Sequence, residues 1–196
     1  MLLNFHTHRP CPAGEQTVPS IGLHPWHVTA DWSARLDSLF ADVAPPVPSP
    51  EAPLLVGECG LDRVCAVPYA LQLQAFEAQI ALSEQLHLPL VLHCVRAMDD
   101  VLRLHRTATQ PWVWHGFRGK PDQLRQLLKA GLYVSFGWHH NTASVEACPA
   151  ERFFLETDDG PAAIGPLYKQ VATLRRTSEA ALAAQMWHNL SVLTCP

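Results

Sequence analysis

Four histidines and two carboxylates stand directly after short apolar segments of this chain, and their types suit metal binding. They are His6, His8, Glu58, His93, His115 and Asp158. Imidazole nitrogens combined with carboxylate oxygens favour zinc, manganese or a similar divalent ion. Two such ions generate hydroxide at neutral pH and stabilise both the attacking and the leaving oxygen of a phosphoryl group. The sequence therefore predicts a hydrolytic metal site.

The spacing of these residues supports one shared site. His6 and His8 are separated by a single residue, so an extended backbone places both imidazoles on the same side. A single histidine at a strand end is more often structural than a ligand, and a lone buried carboxylate can pair with arginine. The whole set at successive strand ends is hard to reach by chance, so we interpret it as a metal site.

The elements that must position this set are short apolar runs alternating with longer amphipathic ones. Runs that are nearly continuous in apolar character predict parallel strands at residues 2–5, 18–22, 54–57, 88–92, 112–114, 132–136 and 152–155. Helical spacing predicts helices near residues 32–43, 71–82, 101–104, 121–131, 167–175 and 178–190. Strands alternating with helices indicate an α/β fold with a parallel sheet. In a closed barrel the carboxyl ends of such strands meet on one rim, where active sites lie.

Composition limits the other possibilities. A chain of 196 residues with 48% hydrophobic and 16% charged residues predicts one globular domain over 1–196. No apolar run reaches membrane-spanning length and no basic leader is present, so we expect a cytoplasmic enzyme with reduced cysteines. The net charge of −4 means that a nucleic acid would have to be held by local cations or metal. The proline-rich stretch 45–53 is interpreted as a rigid connection.

Six segments, spread from one end of the chain to the other, resemble the motifs of a known family. They are Asn-Phe-His-Thr-His (4–8), Ile-Gly-Leu-His-Pro-Trp (21–26), Gly-Glu-Cys-Gly-Leu-Asp (57–62), Leu-His-Cys-Val-Arg-Ala (92–97), His-Gly-Phe-Arg-Gly (115–119) and Leu-Glu-Thr-Asp (155–158). In this order they resemble the TatD family of metal-dependent hydrolases, which are amidohydrolase-like TIM barrels. The segments at 57–62 and 155–158 are the most specific.

The resemblance implies a (β/α) barrel, two divalent metal ions (Zn, Mn or Mg) and deoxyribonuclease activity of the 3′-to-5′ exonuclease type. Single-stranded DNA, or the 3′ end of DNA, would be the substrate. The family's pattern implies that one metal is held by His6, His8, Glu58 and Asp158, and the other by Glu58, His93 and His115. It also implies that Glu58 and Asp158 are catalytic, with Asp158 orienting or deprotonating the attacking water.

Two features depart from the family's pattern. Asn4 stands where the family usually has aspartate; it can still hydrogen-bond a neighbour but carries no charge. Only residues 9–17 separate His8 from the next strand, where the family has a helix, a strand and another helix. Because a parallel crossover normally needs a dozen or more residues, we predict that one β/α unit is missing and that about seven strands remain.

Several polar and aromatic residues near these strand ends are candidates for substrate contacts. His24, Arg96 and Arg118 are predicted to bind substrate phosphate. A loop-stabilising role is the alternative for His24, and ion pairs with Asp62, Asp99 or Asp122 are the alternative for the arginines. Trp26 and Trp138 are candidates for stacking on a terminal base, whereas Trp114 is expected in the core. Glu156 is expected to point opposite to Asp158 if the strand continues, and it is not counted as a ligand.

Two other functions remain open at this point. The same site could hydrolyse a carboxylic ester, an amide or an aminoacyl-tRNA-type ester, since a metal ion polarises a carbonyl as well as a phosphoryl group. The chain could instead be a non-catalytic metal-binding scaffold, which the intact ligand set argues against.

Overall fold

A computed structural model of the chain describes residues 1–43, 53–161 and 163–194. These residues form two compact units: residues 1–18 with 115–196, and residues 19–114. The predicted rigid connection at 45–53 lies, apart from Pro53, outside the described residues, and so does Cys195. The single domain predicted for 1–196 stays a prediction. None of the described helices is long and apolar enough to cross a membrane.

The unit 19–114 contains a parallel sheet with helices in the connections. Its strands follow one another in the order β3 (Ser20–Ile21), β4 (Leu55–Asp62), β5 (Leu90–Val95) and β6 (Trp112–Trp114). Its helices are α1 (Trp32–Phe40), α2 (Tyr69–Leu86) and α3 (Met98–His105), with a 3-10 turn at Pro25–His27. Strand β4 is buried along its whole length and extends to Asp62, so Glu58 lies inside it and not after the strand predicted at 54–57. His93 likewise lies inside β5.

Two glycines shape β4 where it carries Glu58. Gly57 and Gly60 have φ values of 140° and 141°, which L side chains rarely adopt. A Cβ atom at Gly57 would lie 2.5 Å from the carbonyl oxygen of Val91 on β5, and one at Gly60 would overlap the carbonyl oxygen of His93. The register between the two strands shifts between Val56 and Cys59. Glycine on either side of Glu58 therefore permits this irregular and close approach to β5.

The other unit contains two pairs of parallel strands and the remaining helices. The pairs are β1 (Leu2–Asn4) with β2 (Glu15–Thr17), and β7 (Tyr133–Phe136) with β8 (Phe153–Leu155). The Phe5 N–H donates to the Leu155 carbonyl at 2.9 Å, which joins the segment after β1 to β8. The helices are α4 (Pro121–Lys129), α5 (Thr142–Ala147), α6 (Gly165–Leu174) and α7 (Glu179–Thr194), with a 3-10 turn at Ala150–Arg152.

The predicted second strand differs most from the structure. The segment predicted as one strand at 18–22 is replaced by two, β2 and β3, so the described residues contain eight strands instead of about seven. Strand β2 runs parallel to β1, and residues 5–14 connect the two without a helix. The short segment after His8 thus omits the helix of a β/α unit but keeps a strand.

Candidate functional site

The first candidate group, in the unit 1–18 with 115–196, contains His6, His8 and Asp158. One donor atom from each lies within 4.8 Å of the others, and His8 Nε2 is 3.6 Å from Asp158 Oδ1. The two imidazoles meet edge to face with ring centroids 4.9 Å apart, as the His-Thr-His spacing predicts. His6 is buried, whereas the His8 side chain is 51% exposed. An ion bound here would be reached from solvent past His8.

Backbone contacts hold this group together. The Asp158 N–H donates to the His6 carbonyl at 3.1 Å, and the His8 N–H donates to the Asp158 carbonyl at 3.3 Å. Buried Asn4 fixes the same loop, because its Nδ2 donates to Thr157 Oγ1 at 2.8 Å and its Oδ1 accepts from the Thr157 N–H at 3.0 Å. The predicted ability of Asn4 to hydrogen-bond a neighbour is confirmed.

Glu156 is a member of this unit's metal-capable residues that the sequence argument missed. The prediction that it points away from Asp158 is wrong, because donor atoms of His115, Glu156 and Asp158 lie within 4.8 Å of one another. Strand β8 ends at Leu155, and Asp158 has a φ of 51° in the left-handed region. Alternation itself would also place the two residues together, because residues two apart in an extended segment face the same side, as His6 and His8 do. The period-two spacing of Glu156 and Asp158 was therefore the available signal.

The buried carboxylate of Glu156 orients His115. Its Oε1 is 3.3 Å from His115 Nδ1, and the Ser135 hydroxyl donates to Oε2 at 2.5 Å. Burial alone raises the pKa of Glu156, but the charge and hydrogen bond of His115, with His6 and Ser135, outweigh burial and lower it. When His115 is neutral, a charged carboxylate at Nδ1 holds the ring proton there and leaves the Nε2 lone pair for a metal ion.

The second candidate group, in the unit 19–114, contains Glu58 and His93. His93 stands between two carboxylates: Nδ1 is 3.0 Å from Glu58 Oε1, and Nε2 is 3.1 Å from Asp62 Oδ2. When Asp62 accepts the Nε2 proton, the Nδ1 lone pair faces the negative oxygen of Glu58. Such a pair is favourable only with a proton or a metal ion between its atoms, and a metal ion fits both donors.

Asp62 is held by more than His93. Its Oδ2 accepts the indole N–H of Trp26 at 2.6 Å, and its Oδ1 accepts the Val64 N–H at 2.8 Å. Burial raises the pKa of Asp62, but these hydrogen bonds and His93 lower it overall, so the carboxylate stays charged. Asp62 is therefore bonded to His93. The alternative in which Asp62 pairs with Arg96 or Arg118 is wrong.

His24 approaches Glu58 from the other side, with Nε2 3.3 Å from Oε1. Its Nδ1 accepts the Trp26 backbone N–H at 3.1 Å, so the ring proton of neutral His24 sits on Nε2 and points to Glu58. Burial lowers the pKa of His24 in spite of Glu58. Although its donor atom lies within 4.8 Å of those of Glu58 and His93, the protonated Nε2 makes His24 a hydrogen-bond donor and not a metal ligand.

Two buried glutamines of α2 fix the loops of this group, and sequence reasoning missed both. The side chain of Gln79 bonds both backbone groups of Leu23, at 2.6 and 3.1 Å, directly before His24. Gln72 accepts the Asp62 N–H at 2.7 Å and donates to the Asp62 carbonyl at 3.0 Å. A buried glutamine without these partners would be costly, so each one fixes its loop.

The donor sets fit a divalent ion. Donor atoms on one tetrahedral ion lie about 3.3–3.6 Å apart when the metal–ligand bonds are about 2.0–2.2 Å. The separation of 3.0 Å between His93 Nδ1 and Glu58 Oε1 is shorter, so the two atoms would move slightly apart to bind one ion. Mixed nitrogen and oxygen donors suit zinc and manganese. The predicted ligands all belong to these groups: His6, His8, His115 and Asp158 in one unit, Glu58 and His93 in the other.

The predicted phosphate-binding arginines are exposed. Within 1–43, 53–161 and 163–194, neither Arg96 nor Arg118 makes a side-chain hydrogen bond or ion pair. Asp122 instead bonds Arg125 on the same helix. The alternative in which Asp122 neutralises Arg118 is therefore wrong, and both guanidinium groups are available to an anion.

The tryptophans fall into different environments. Trp114 is buried in β6, as predicted for a core residue. Trp26 is 54% exposed while its indole N–H bonds Asp62. Trp138, directly after β7, lines a cleft together with Arg118 and Asp158.

Solved structures with the same fold are known. A hydrolase of the TatD family from Entamoeba histolytica superposes with a TM-score of 0.74, covering 93% of this chain and 76% of that one at 16% identity. A TatD homologue from Escherichia coli K12 superposes with a TM-score of 0.70, covering 92% and 76% at 22% identity. The predicted α/β, TIM-barrel-like fold class is thereby confirmed.

The sequence comparisons identify the family. Residues 11–194 match the family model described as TatD related DNase. A protein named 3′-5′ ssDNA/RNA exonuclease TatD from Edwardsiella piscicida is 39% identical over 154 residues, which are 70% of this chain but 55% of that protein. One of the same name from Erwinia amylovora is 32% identical over 208 residues, covering 88% of this chain and 76% of the relative. The chain belongs to the TatD family of hydrolases, and it spans a little over half of the Edwardsiella relative.

Proposed function

We propose that this protein is a metal-dependent phosphodiesterase that removes nucleotides from the 3′ end of single-stranded DNA. The observation that carries the proposal is His93, whose Nδ1 faces Glu58 Oε1 at 3.0 Å while Asp62 holds Nε2. This arrangement calls for a proton or a metal ion between the two atoms, and the donor set suits a metal ion. The family relatives named 3′-5′ ssDNA/RNA exonuclease supply the reaction class.

The proposal assigns two divalent ions, of zinc, manganese or magnesium, to the groups described above. One is held by His6, His8 and Asp158, and the other by Glu58 and His93. His115, oriented by Glu156, completes the ligand set. When bound, the ions lower the pKa of water and neutralise charge on the phosphoryl oxygens. The sharing of Glu58 by both ions, which the family resemblance implies, stays a prediction.

Two carboxylates of the chain orient the attacking water, accept its proton and bind the metal ions. The Asp158 carboxylate would orient the attacking water and accept its proton, and the exposed His8 leaves this side of the group open to solvent. Glu58 is kept in place by His24 Nε2 at 3.3 Å and by His93. Loss of either carboxylate removes both a ligand and a group that orients the nucleophile.

Three residues are proposed to bind phosphate. His24 offers its Nε2 proton, and this donor can turn from Glu58 to a phosphate oxygen without a change of tautomer. Arg96 and Arg118 are exposed, and each presents a planar fork of donors that matches phosphate oxygens. Because the net charge is −4, such local donors and the metals must hold the nucleic acid. The cytoplasmic location stays a prediction.

A substrate panel tests the proposal. Metal-loaded protein and its Glu58→Ala variant are assayed on single-stranded DNA, RNA, a carboxylic ester and an aminoacyl ester. The proposal expects Glu58-dependent loss of nucleotides from the 3′ end, blocked by a 3′-terminal phosphorothioate linkage. Cleavage of the carboxylic or aminoacyl ester alone would replace it with the other hydrolase class. Metal binding without any hydrolysis would favour the scaffold.

A further inference from the structure

A cleft of about 230 Å³ lies beside the first metal group and has no role so far. Its lining includes Glu156 and Asp158 of that group, together with Arg118 and Trp138. Clefts that enclose drug-sized ligands measure roughly 300–1,000 Å³. This one therefore has room for a single flat ring system and not for a length of polymer.

Trp138 gives the cleft an aromatic wall whose position is fixed. The backbone of Gly160 packs on the edge of the indole, since a Cβ at Gly160 would lie 2.7 Å from Trp138 Cδ1. The indole Nε1–H is buried and has no hydrogen-bond partner among residues 1–43, 53–161 and 163–194. Because Gly160 covers this edge of the indole, the face of the ring is the part that a ligand in the cleft can contact.

The charges of the cleft indicate which part of a nucleotide fits. Glu156, Asp158 and Asp159 all line it, so a bare phosphate inside would be repelled. A neutral ring is not repelled, and its face can stack on Trp138. Arg118 supplies the one cation of the lining and can hold the phosphate that follows the ring. Gly116, Gly137 and Gly160 add no side chains to the space.

We propose that this cleft binds the 3′-terminal base of the strand, stacked on Trp138. The proposal rests on the proposed nuclease function and deepens it. Since Asp158 belongs both to the cleft and to the first metal group, a base held here places its own phosphodiester bond next to that group. Room for a single base also accounts for attack at a chain end. Stacking tolerates every base, so little sequence preference is expected.

Kinetics on paired substrates test the cleft. A single-stranded oligonucleotide with a normal 3′-terminal residue is compared with one whose 3′-terminal residue lacks its base. Wild-type protein is expected to lose about tenfold or more in kcat/KM on the abasic end. The Trp138→Ala variant should lose a similar factor in kcat/KM on the normal end, so that its kcat/KM no longer differs between the normal and the abasic substrate. The Trp138→Phe variant should recover part of the lost kcat/KM. Equal losses on both substrates, or no loss, would overturn the proposal.

A matched control and a binding measurement separate this proposal from the nuclease itself. Trp187→Phe alters an indole of α7 that bonds the Met1 carbonyl outside the cleft, and it should keep the discrimination. Calorimetry then compares deoxyadenosine monophosphate with deoxyribose phosphate on metal-loaded protein. Tighter binding of the nucleotide that disappears in Trp138→Ala supports the cleft even if no oligonucleotide is cut. Equal affinities of the wild-type protein for the two ligands would overturn the proposed base-binding role of the cleft, whether or not the protein cleaves DNA.

Discussion

The two metal-capable groups share one arrangement of side chains but differ in their exposure to solvent. In each, a buried carboxylate stands behind a histidine and is itself held by a further donor. In the unit 19–114, Asp62 bonds His93 and accepts the Trp26 indole N–H. In the other unit, Glu156 bonds His115 and accepts the Ser135 hydroxyl.

Access separates them. The group around His93 is enclosed, with its side chain 12% exposed and Glu58 6% exposed. The group around Asp158 reaches solvent through His8 and adjoins the cleft with Trp138. We therefore expect the enclosed group to hold its ion in a fixed geometry and the open one to lie next to the substrate. Substitutions in the first should therefore weaken metal binding, and substitutions beside the second should alter substrate binding.

Removal of a ligand carboxylate should have the largest effect on activity, and the effect should be similar for the two groups. Glu58→Gln and Asp158→Asn are each expected to lower kcat by about 10²–10⁴-fold, because each removes a charge that binds metal and orients water. Steady-state hydrolysis of single-stranded DNA measures this. Asp122→Asn, on an exposed residue paired with Arg125, is the matched control. Full activity in both variants with an intact circular dichroism spectrum would remove the metal groups from the mechanism.

Loss of the carboxylate behind each histidine should have the next largest effect. Asp62→Asn and Glu156→Gln are each expected to reduce metal affinity about 10–100-fold, because His93 and His115 lose the charge that fixes their proton. Competition with a fluorescent chelator measures the affinity without reference to activity. Asp100→Asn, which alters a carboxylate bonded to Tyr69 and Arg63, should bind metal normally. Unchanged affinity in both variants would mean that these carboxylates only pack the loops.

A charge beside the open group should affect substrate binding more than chemistry. Arg118→Gln is expected to raise KM about five- to tenfold with little change in kcat, since an exposed charge-assisted hydrogen bond is partly screened. The effect should shrink as salt rises. Arg125→Gln is the control, because that side chain bonds Asp122. A fall in kcat at constant KM would place Arg118 at the reacting phosphate instead.

The smallest effect is one of stability, away from both groups. Glu84 on α2 accepts the backbone N–H groups of Thr109 at 2.8 Å and Gln110 at 3.0 Å, shortly before β6. Burial raises the pKa of Glu84, but these bonds and the Thr109 hydroxyl lower it overall. Its stabilisation is therefore full above the unfolded pKa of about 4.5 and is lost as the pH falls through the folded pKa.

Glu84→Gln should thus cost about 1 kcal/mol at pH 7 and almost nothing at strongly acidic pH. Urea unfolding at the two pH values measures the difference. A cost that is the same at both would show that the charge of Glu84 is not involved.

The sequence could predict features that follow from periodic patterns of residues. It could not predict contacts that depend on where an individual side chain meets a loop. Period-two spacing and apolar runs placed His6, His8 and Asp158 at strand ends, and the structure groups them. Glu156 was missed because the period-two rule, which places residues two apart on one side, was applied to His6 and His8 but not to Glu156 and Asp158. Gln72 and Gln79 were missed because a glutamine inside an amphipathic helix looks like a surface residue until its loop partner is known. Helix α5 was missed because it is short and is capped only by Asn141.

The most direct test of the account joins metal content to the direction of digestion. Protein stripped by a chelator and then reloaded with one divalent ion at a time is given a 5′-labelled single strand, and products are resolved by length while bound metal is measured. We predict no digestion in the stripped protein. After reloading, a ladder that shortens from the 3′ end with the 5′ label retained should appear, rising with bound metal. Digestion that persists without metal, or immediate release of the 5′ label, would contradict the proposed function.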